Sequence, residues 1–371
     1  MWKFILTYLL IYSGIHWVFY HRTRVLLPEK GWPVTLMAAF LLLMIFSPVF
    51  IHVLENRGHD FSARCFAFVG YVWMGFLFLA FIGCLALYLL DLLSWGIRTF
   101  SPFGFPVFNG SLPVLLLLTG CALGMVYGCF EAVNLRAEHL VIKTRKLPAH
   151  LKSLRIVQIS DVHLGVINRD AALKRIMEQV EAQSPDILVC TGDLVDGSMH
   201  NLIQLAERIR KFTPPLGKFA ITGNHEYYAG LDHAIDFMEK SGFEVLRHEA
   251  RTIGCAVNVA GIDDGGRARK VDDGDTLDNI ENDLFTLYLK HRPTVSEKTL
   301  GLFDLQLSGH THNGQLWPFN FLVSLEFPMI KGLYHLNKGS MLYVSRGTGT
   351  WGPPARILSP PEITLIELMR P

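Results

Sequence analysis

Apolar residues in the first third of the chain gather into four runs, at residues 4–20, 34–54, 66–90 and 112–133. Each is near or above the roughly 20 residues that a helix needs to cross a bilayer, so residues 1–135 are expected to form a transmembrane region of about four spans. Only Lys3 precedes the first run and no A-x-A-like site follows it, which predicts a retained helix and not a cleaved signal peptide. Trp2, Trp17, Tyr20, Trp32 and Trp95 lie near the run ends, where amphipathic rings settle at the headgroup level. Beyond residue 140 the rhythm changes. Residues 154–159 (LRIVQI) and 187–190 (ILVC) are continuous apolar runs of buried-strand length, and 171–183 between them has helical spacing, which together predict a βαβ unit. Residues 218–222 (KFAIT), preceded by a helical 202–212, and residues 305–308 and 341–345 extend the same alternation. The expected class is α/β, with functional side chains on loops at the C-terminal ends of strands.

Charge follows this division. Residues 1–135 hold seven Lys/Arg and five Asp/Glu, which by subtraction leaves 27 basic and 28 acidic residues for 136–371. So balanced a second part has no electrostatic footprint for nucleic acid. Basic residues also bear on orientation. Arg22, Arg24 and Lys30 lie between the first two runs and Arg98 between the last two, against Lys3, Arg57, Arg64, Arg136, Lys143, Arg145 and Lys146 on the other side. The positive-inside bias favours a multi-pass protein of the cell membrane with a cytoplasmic second part. The six cysteines form no CxxC pair and read as small buried apolar residues. His16, His52 and Glu131 lie near run ends, and no paired charges at mid-bilayer mark a transporter.

Metal-ligand residue types recur just after the predicted strands: Asp161 and His163 in SDVHLG, Asp193 in GDLVD, Asn224 and His225 in GNHE, and His310 and His312 in GHTHNG. Side chains at strand ends can converge on one point. A mixed set of carboxylate, imidazole and amide oxygen suits Mn, Fe or Zn better than the all-oxygen shells of Ca or Mg. Residues 262–283 are rich in Gly and acid and predict a solvated rim loop. The DDGD within it lacks the spacing and closing Glu of an EF-hand. His200, His233, His248 and His335 fit no block and read as structural.

The ordered blocks D-x-H, G-D-x-x-D, G-N-H-[DE], a lone His and G-H-x-H resemble those of the calcineurin-like metallophosphoesterases over about residues 150–371. The motifs GHTHNGQ, VSRGTGTWGPPAR and PEITLIEL are similar to the bacterial YkuE-like and YaeI-like subgroup, most of whose members have Gly where Asn313 stands. The resemblance implies a four-layer α/β/β/α sandwich over residues 140–371 and two divalent metal ions, Mn favoured. One ion would be held by Asp161, His163, Asp193 and His312, the other by Asp193, Asn224, His291 and His310, with His291 of LKHRP as the lone His. His225 would be the catalytic acid, with Glu226 orienting it. Arg346 is a candidate for substrate binding. It and Arg356 either meet a phosphate or cap loop carbonyls, and Asp196 reads as a turn residue behind the ligands.

The expected function is hydrolysis of a phosphoester or pyrophosphate bond at the membrane. The anchor suggests a lipid-linked substrate, for which UDP-2,3-diacylglucosamine is the family precedent. The alternative is a non-catalytic membrane scaffold or sensor on the same fold.

Overall fold

The computed structural model describes residues 2–100, 106–197, 202–265, 273–278, 280 and 283–371. His200 and most of the acidic stretch within 262–283 lie outside the described residues. By contacts the chain divides into two units, Met1–Cys129 with Gly352–Ala355, and Phe130–Trp351 with Arg356–Pro371.

The first unit contains α1 (Trp2–Thr23), α2 (Trp32–Ile45), α3 (Ser47–Asn56), α4 (Asp60–Phe100) and most of α5 (Ser111–Val133). α4 and α5 are each long and apolar enough to cross a membrane, and the pair α2 and α3 would count as a third span if taken together. The second apolar run is therefore not one straight helix. It bends by 53° at Phe46, and Pro48, which has no N–H to donate, sits in the first turn of α3. With 41 residues α4 is about 60 Å long, roughly twice the thickness of a hydrocarbon core of about 30 Å. Tyr12, Phe19, Leu41, Leu77, Ala80 and Cys121 form the apolar centre of this unit.

The second unit is built on two six-stranded mixed sheets. The first has the order β1 (Arg136–Lys143), β12 (Glu362–Met369), β2 (Ser153–Ile159), β3 (Ile187–Cys190), β4 (Lys218–Ala220) and β5 (Glu244–Val245). In the second, β10 (Gly332–His335), β11 (Met341–Val344), β9 (Leu305–Ser308), β8 (Phe285–Leu289), β7 (Val257–Gly261) and β6 (Glu249–Ile253) lie side by side. Strands β2 to β5 are parallel, as are β11, β9, β8 and β7. Ile156, Val189, Phe219, Val257, Leu287 and Leu305 fill the space between the sheets. Each such side chain contributes roughly 1.5–3 kcal/mol by leaving water. Helices α6 (Asp170–Ala182), α7 (Ile203–Arg210) and α9 (Leu231–Lys240) cover the outer face of the first sheet through Leu173, Ile176, Leu205 and Phe237. The outer face of the second packs Tyr288 against Leu300, Phe303 and Leu277 of the four-residue α10 (Gly274–Leu277). The expected four-layer sandwich is present, its last layer thin. Helices α8 (Asn224–Ala229) and α11 (Phe319–Glu326) complete the set, and all six cysteines are free.

Candidate metal centre

Every candidate ligand follows a strand. Asp161 and His163 come after β2, Asp193 after β3, Asn224 opens α8 after β4, His291 follows β8, and His310 and His312 follow β9. Five of these seven, Asp161, His163, Asp193, His310 and His312, are in the left-handed region, with φ of 52, 51, 52, 70 and 48°. The turns leave no room for other residues. A Cβ on Gly192 (φ +91°) would meet His291 Nδ1 and Gly223 N at 2.7 Å, and one on Gly309 would overlap Ser160 and Asp161.

The structure brings the seven together. His163 and His312 present Nε2 to each other at 3.1 Å, and His312 Nε2 is 3.4 Å from Asp161 Oδ1. Alongside, His291 Nε2 lies 3.2 Å from His310 Nδ1, 3.3 Å from Asn224 Oδ1 and 3.2 Å from Asp193 Oδ2, which is also 3.8 Å from His163 Nε2. Asp193 thus belongs to both groups. All of these residues are buried except His310, which is half-buried.

Neighbours fix their orientation. His291 Nδ1–H donates to Thr191 O at 2.8 Å, which turns its Nε2 inward. Asp161 accepts from Ser160 Oγ and His310 N, and Asp193 Oδ1 accepts from His225 N at 2.9 Å. Burial pushes His163 down to about 4 and His310 down to about 3, and it holds His312 well below its usual range with help from Arg356. Those imidazoles are neutral, with lone pairs available. Burial would also depress His291, but Asp193 and then Asp161 raise it to about 10, so its Nε2 carries a proton that a bound cation would have to displace. Asp161, His163 and His312, then His163, Asp193 and His225, and then Asp193, His291 and His310 each bring donor atoms within 4.8 Å of one another, groups of a chemistry that could hold a divalent cation.

His225 stands beside this set, its ring 4.6 Å from that of His163. Its Nδ1 meets Asp196 Oδ1 at 2.8 Å. Burial alone would lower His225, but the bond to Asp196 and the charge of Asp193 hold it above its ordinary value. The orienting partner expected from the resemblance, Glu226, does something else. Its fully buried carboxylate accepts from the backbone N–H groups of Asp193, Val195 and Gly223 and so ties the two ligand-bearing turns after β3 and β4 together. Sequence reasoning placed Asp196 in the turn without giving it this role. The D-x-x-D spacing carries the residue but not the direction of its side chain.

The two arginines differ. Arg356 is fully buried and donates to the carbonyls of Arg346, Gly347, Gly349, His312 and Ser359, with Nη2 3.1 Å from His312 Nδ1. It is a carbonyl cap that steadies a ligand. Arg346 pairs with Glu362 at 2.5 Å and with Glu138, and Glu362 also accepts from Tyr343. Its charge is thus met by two carboxylates. His233, His248 and His335 stand outside both ligand groups.

Residues 154–314 match the family described as calcineurin-like phosphoesterase. An uncharacterized metallophosphoesterase of Aquifex aeolicus is 40% identical over 248 residues, 65% of this chain and 95% of its own length. A transmembrane protein with metallophosphoesterase domain from Danio rerio is 30% identical over 358 residues, covering 92% of this chain and 81% of its own. The uncharacterized metallophosphoesterase YkuE of Bacillus subtilis is 32% identical over 244 residues, covering 62% and 84%. With the family's ordered blocks meeting at one buried point and a relative matched over nearly its whole length, the chain belongs to the calcineurin-like metallophosphoesterases and is a metal-dependent phosphoesterase.

Proposed function

We propose that the chain hydrolyses a phosphoester or pyrophosphate bond of a lipid-linked substrate, with its catalytic unit on the cytoplasmic side of a membrane that it spans about four times. The observation that carries the hydrolytic reading is the pair of ligand groups meeting at Asp193, with the His225–Asp196 pair beside them. Asp161, His163, Asp193 and His312 would hold one divalent cation, and Asp193, Asn224, His291 and His310 the other. Such a pair, with manganese favoured, supplies a water of lowered pKa and charge stabilisation for the phosphoryl oxygens.

The chain's own residues do the rest. Asp193 holds the two ligand groups in register through Oδ2 while its Oδ1 is anchored on the His225 N–H. Asp196 fixes the His225 ring by Nδ1, which leaves Nε2 to carry a proton to the leaving oxygen. The rings of Tyr228 and Trp351 stand 5.2 and 5.6 Å from that of His225 and line its approach. The apolar helices α4 and α5 support the membrane reading, as does a relative named for its transmembrane region. UDP-2,3-diacylglucosamine is a lipid-linked pyrophosphate to test.

The first experiment is hydrolysis of bis-p-nitrophenyl phosphate by the detergent-purified full chain with added manganese, beside Asp193→Ala and His225→Ala. Activity that Asp193→Ala abolishes and His225→Ala cuts to a small residual rate is expected. A wild-type chain loaded with metal yet inactive on diester and lipid substrates alike would overturn the proposal and favour a scaffold.

A further inference from the structure

Beside the metal centre the catalytic unit exposes a ridge of large apolar side chains. α11 presents Phe321, Leu322 and Leu325, which are 60%, 58% and 82% exposed and fall on one helix face. Trp317, 47% exposed, leads into this helix, and its backbone N–H donates to Ile357 O at 3.1 Å, which brings exposed Leu358 alongside. The Gln315 side chain makes two bonds of 2.9 Å to the backbone of Trp351, and so joins the ridge to the exposed Trp351 ring next to His225. Exposed Tyr228 stands against the same histidine, and Phe327, just past α11, packs edge-on against the ring of His310 at 5.1 Å. The ridge is therefore the lip of the metal centre.

Apolar surface gathered in this way marks a contact with something apolar. Three observations identify it. Residues 317–338 contain one acid, Glu326, against two exposed bases, Lys331 and Lys338, a rim suited to anionic headgroups. Trp and Tyr at the edges with Phe and Leu between them match the chemistry of a membrane interface. And α5 ends at Val133 while β1 begins at Arg136, so only two residues join an apolar helix to the catalytic sheet.

We propose that this ridge inserts into the lipid bilayer, so that the metal centre opens among phospholipid headgroups. The inference rests on the reading of the chain as a membrane-anchored phosphoesterase. The test is a nitroxide at Leu325→Cys in the full chain, with the two exposed cysteines replaced (Cys65→Ser, Cys255→Ser). The protein is reconstituted in vesicles of phosphatidylcholine with a minority of phosphatidylglycerol. A control label replaces Asp236, exposed on α9. The ratio of relaxation by oxygen, which partitions into lipid, to relaxation by a water-soluble nickel chelate is expected to be several-fold higher at 325 than at 236. Equal ratios would place the ridge in water and overturn the proposal, and dipolar broadening between labels would overturn it in favour of a second copy covering the ridge. Hydrolysis of soluble bis-p-nitrophenyl phosphate by the same labelled protein reads the phosphoesterase assignment separately.

Discussion

Replacing Asp196 by Asn keeps the size of the side chain but removes the charge that meets His225 Nδ1 at 2.8 Å. A hydrogen bond to a charged group contributes about 1.5–3 kcal/mol. If that is lost only when the ring must hold its proton for the leaving oxygen, kcat falls by roughly 10- to 150-fold, at about 1.36 kcal/mol per decade. The Asp196 side chain is 32% exposed, so solvent screening moves the expectation to the lower end, about tenfold. The assay is steady-state hydrolysis of bis-p-nitrophenyl phosphate beside a diester with a poorer leaving group, on which the loss should be larger because proton donation matters more. KM should barely move, and Asp196→Glu should recover part of the rate. In a His225→Ala background the Asp196→Asn change should cost nothing further, since the two act as a unit. An unchanged kcat, or an equal loss in both backgrounds, would refute the role given to Asp196.

Glu226→Ala leaves three backbone N–H groups without their acceptor, at about 1–3 kcal/mol for each buried orphan, so the thermal melting point should drop sharply; an unchanged melt contradicts this. Asp193→Ala should bring metal content measured by atomic emission from roughly two ions per chain to below one, because its Oδ2 lies 3.8 Å from His163 and 3.2 Å from His291, one from each proposed ligand set. Lys218 is buried with Nζ on the carbonyls of Ile209 and Ser241, and burial, then Arg210, pushes it down to about 8. The unfolded chain, with Lys near about 10.4, binds that proton more tightly. Wild type should therefore gain stability relative to Lys218→Met as pH rises from 8 towards about 10, with a constant difference below 8. Melting curves of the pair across this range check the sign.

The strands that carry the ligands were legible because they are buried on both faces and read as unbroken apolar runs. The run 187–190 is β3 and 305–308 is β9, residue for residue. The ligands were legible because turn chemistry confines Asp, Asn, His and Gly to fixed offsets after those strands. β1 was not, because its pattern is mixed and half-exposed, and its register depends on parallel pairing with β12 more than 200 residues away. The break at Phe46 was hidden inside an apolar run in which a single proline was the only sign. The exchange of roles between Glu226 and Asp196 was out of reach for another reason. Both acids sit at plausible spacings, and which one faces the imidazole is decided by how α8 docks on the turn after β3.

The left-handed backbone at Asp161, His163, Asp193, His310 and His312 also bears on how much of this protein a cell can keep. Each such residue is held uphill by about 1–2 kcal/mol, a load on a fold whose net stability is of order 5–15 kcal/mol. Ions that bind only the native arrangement offset it in proportion to the logarithm of their free concentration. When trace metals run short, the bare chain opens more often and meets proteases sooner. Scarcity would then reduce the number of molecules as well as the share of them that is active.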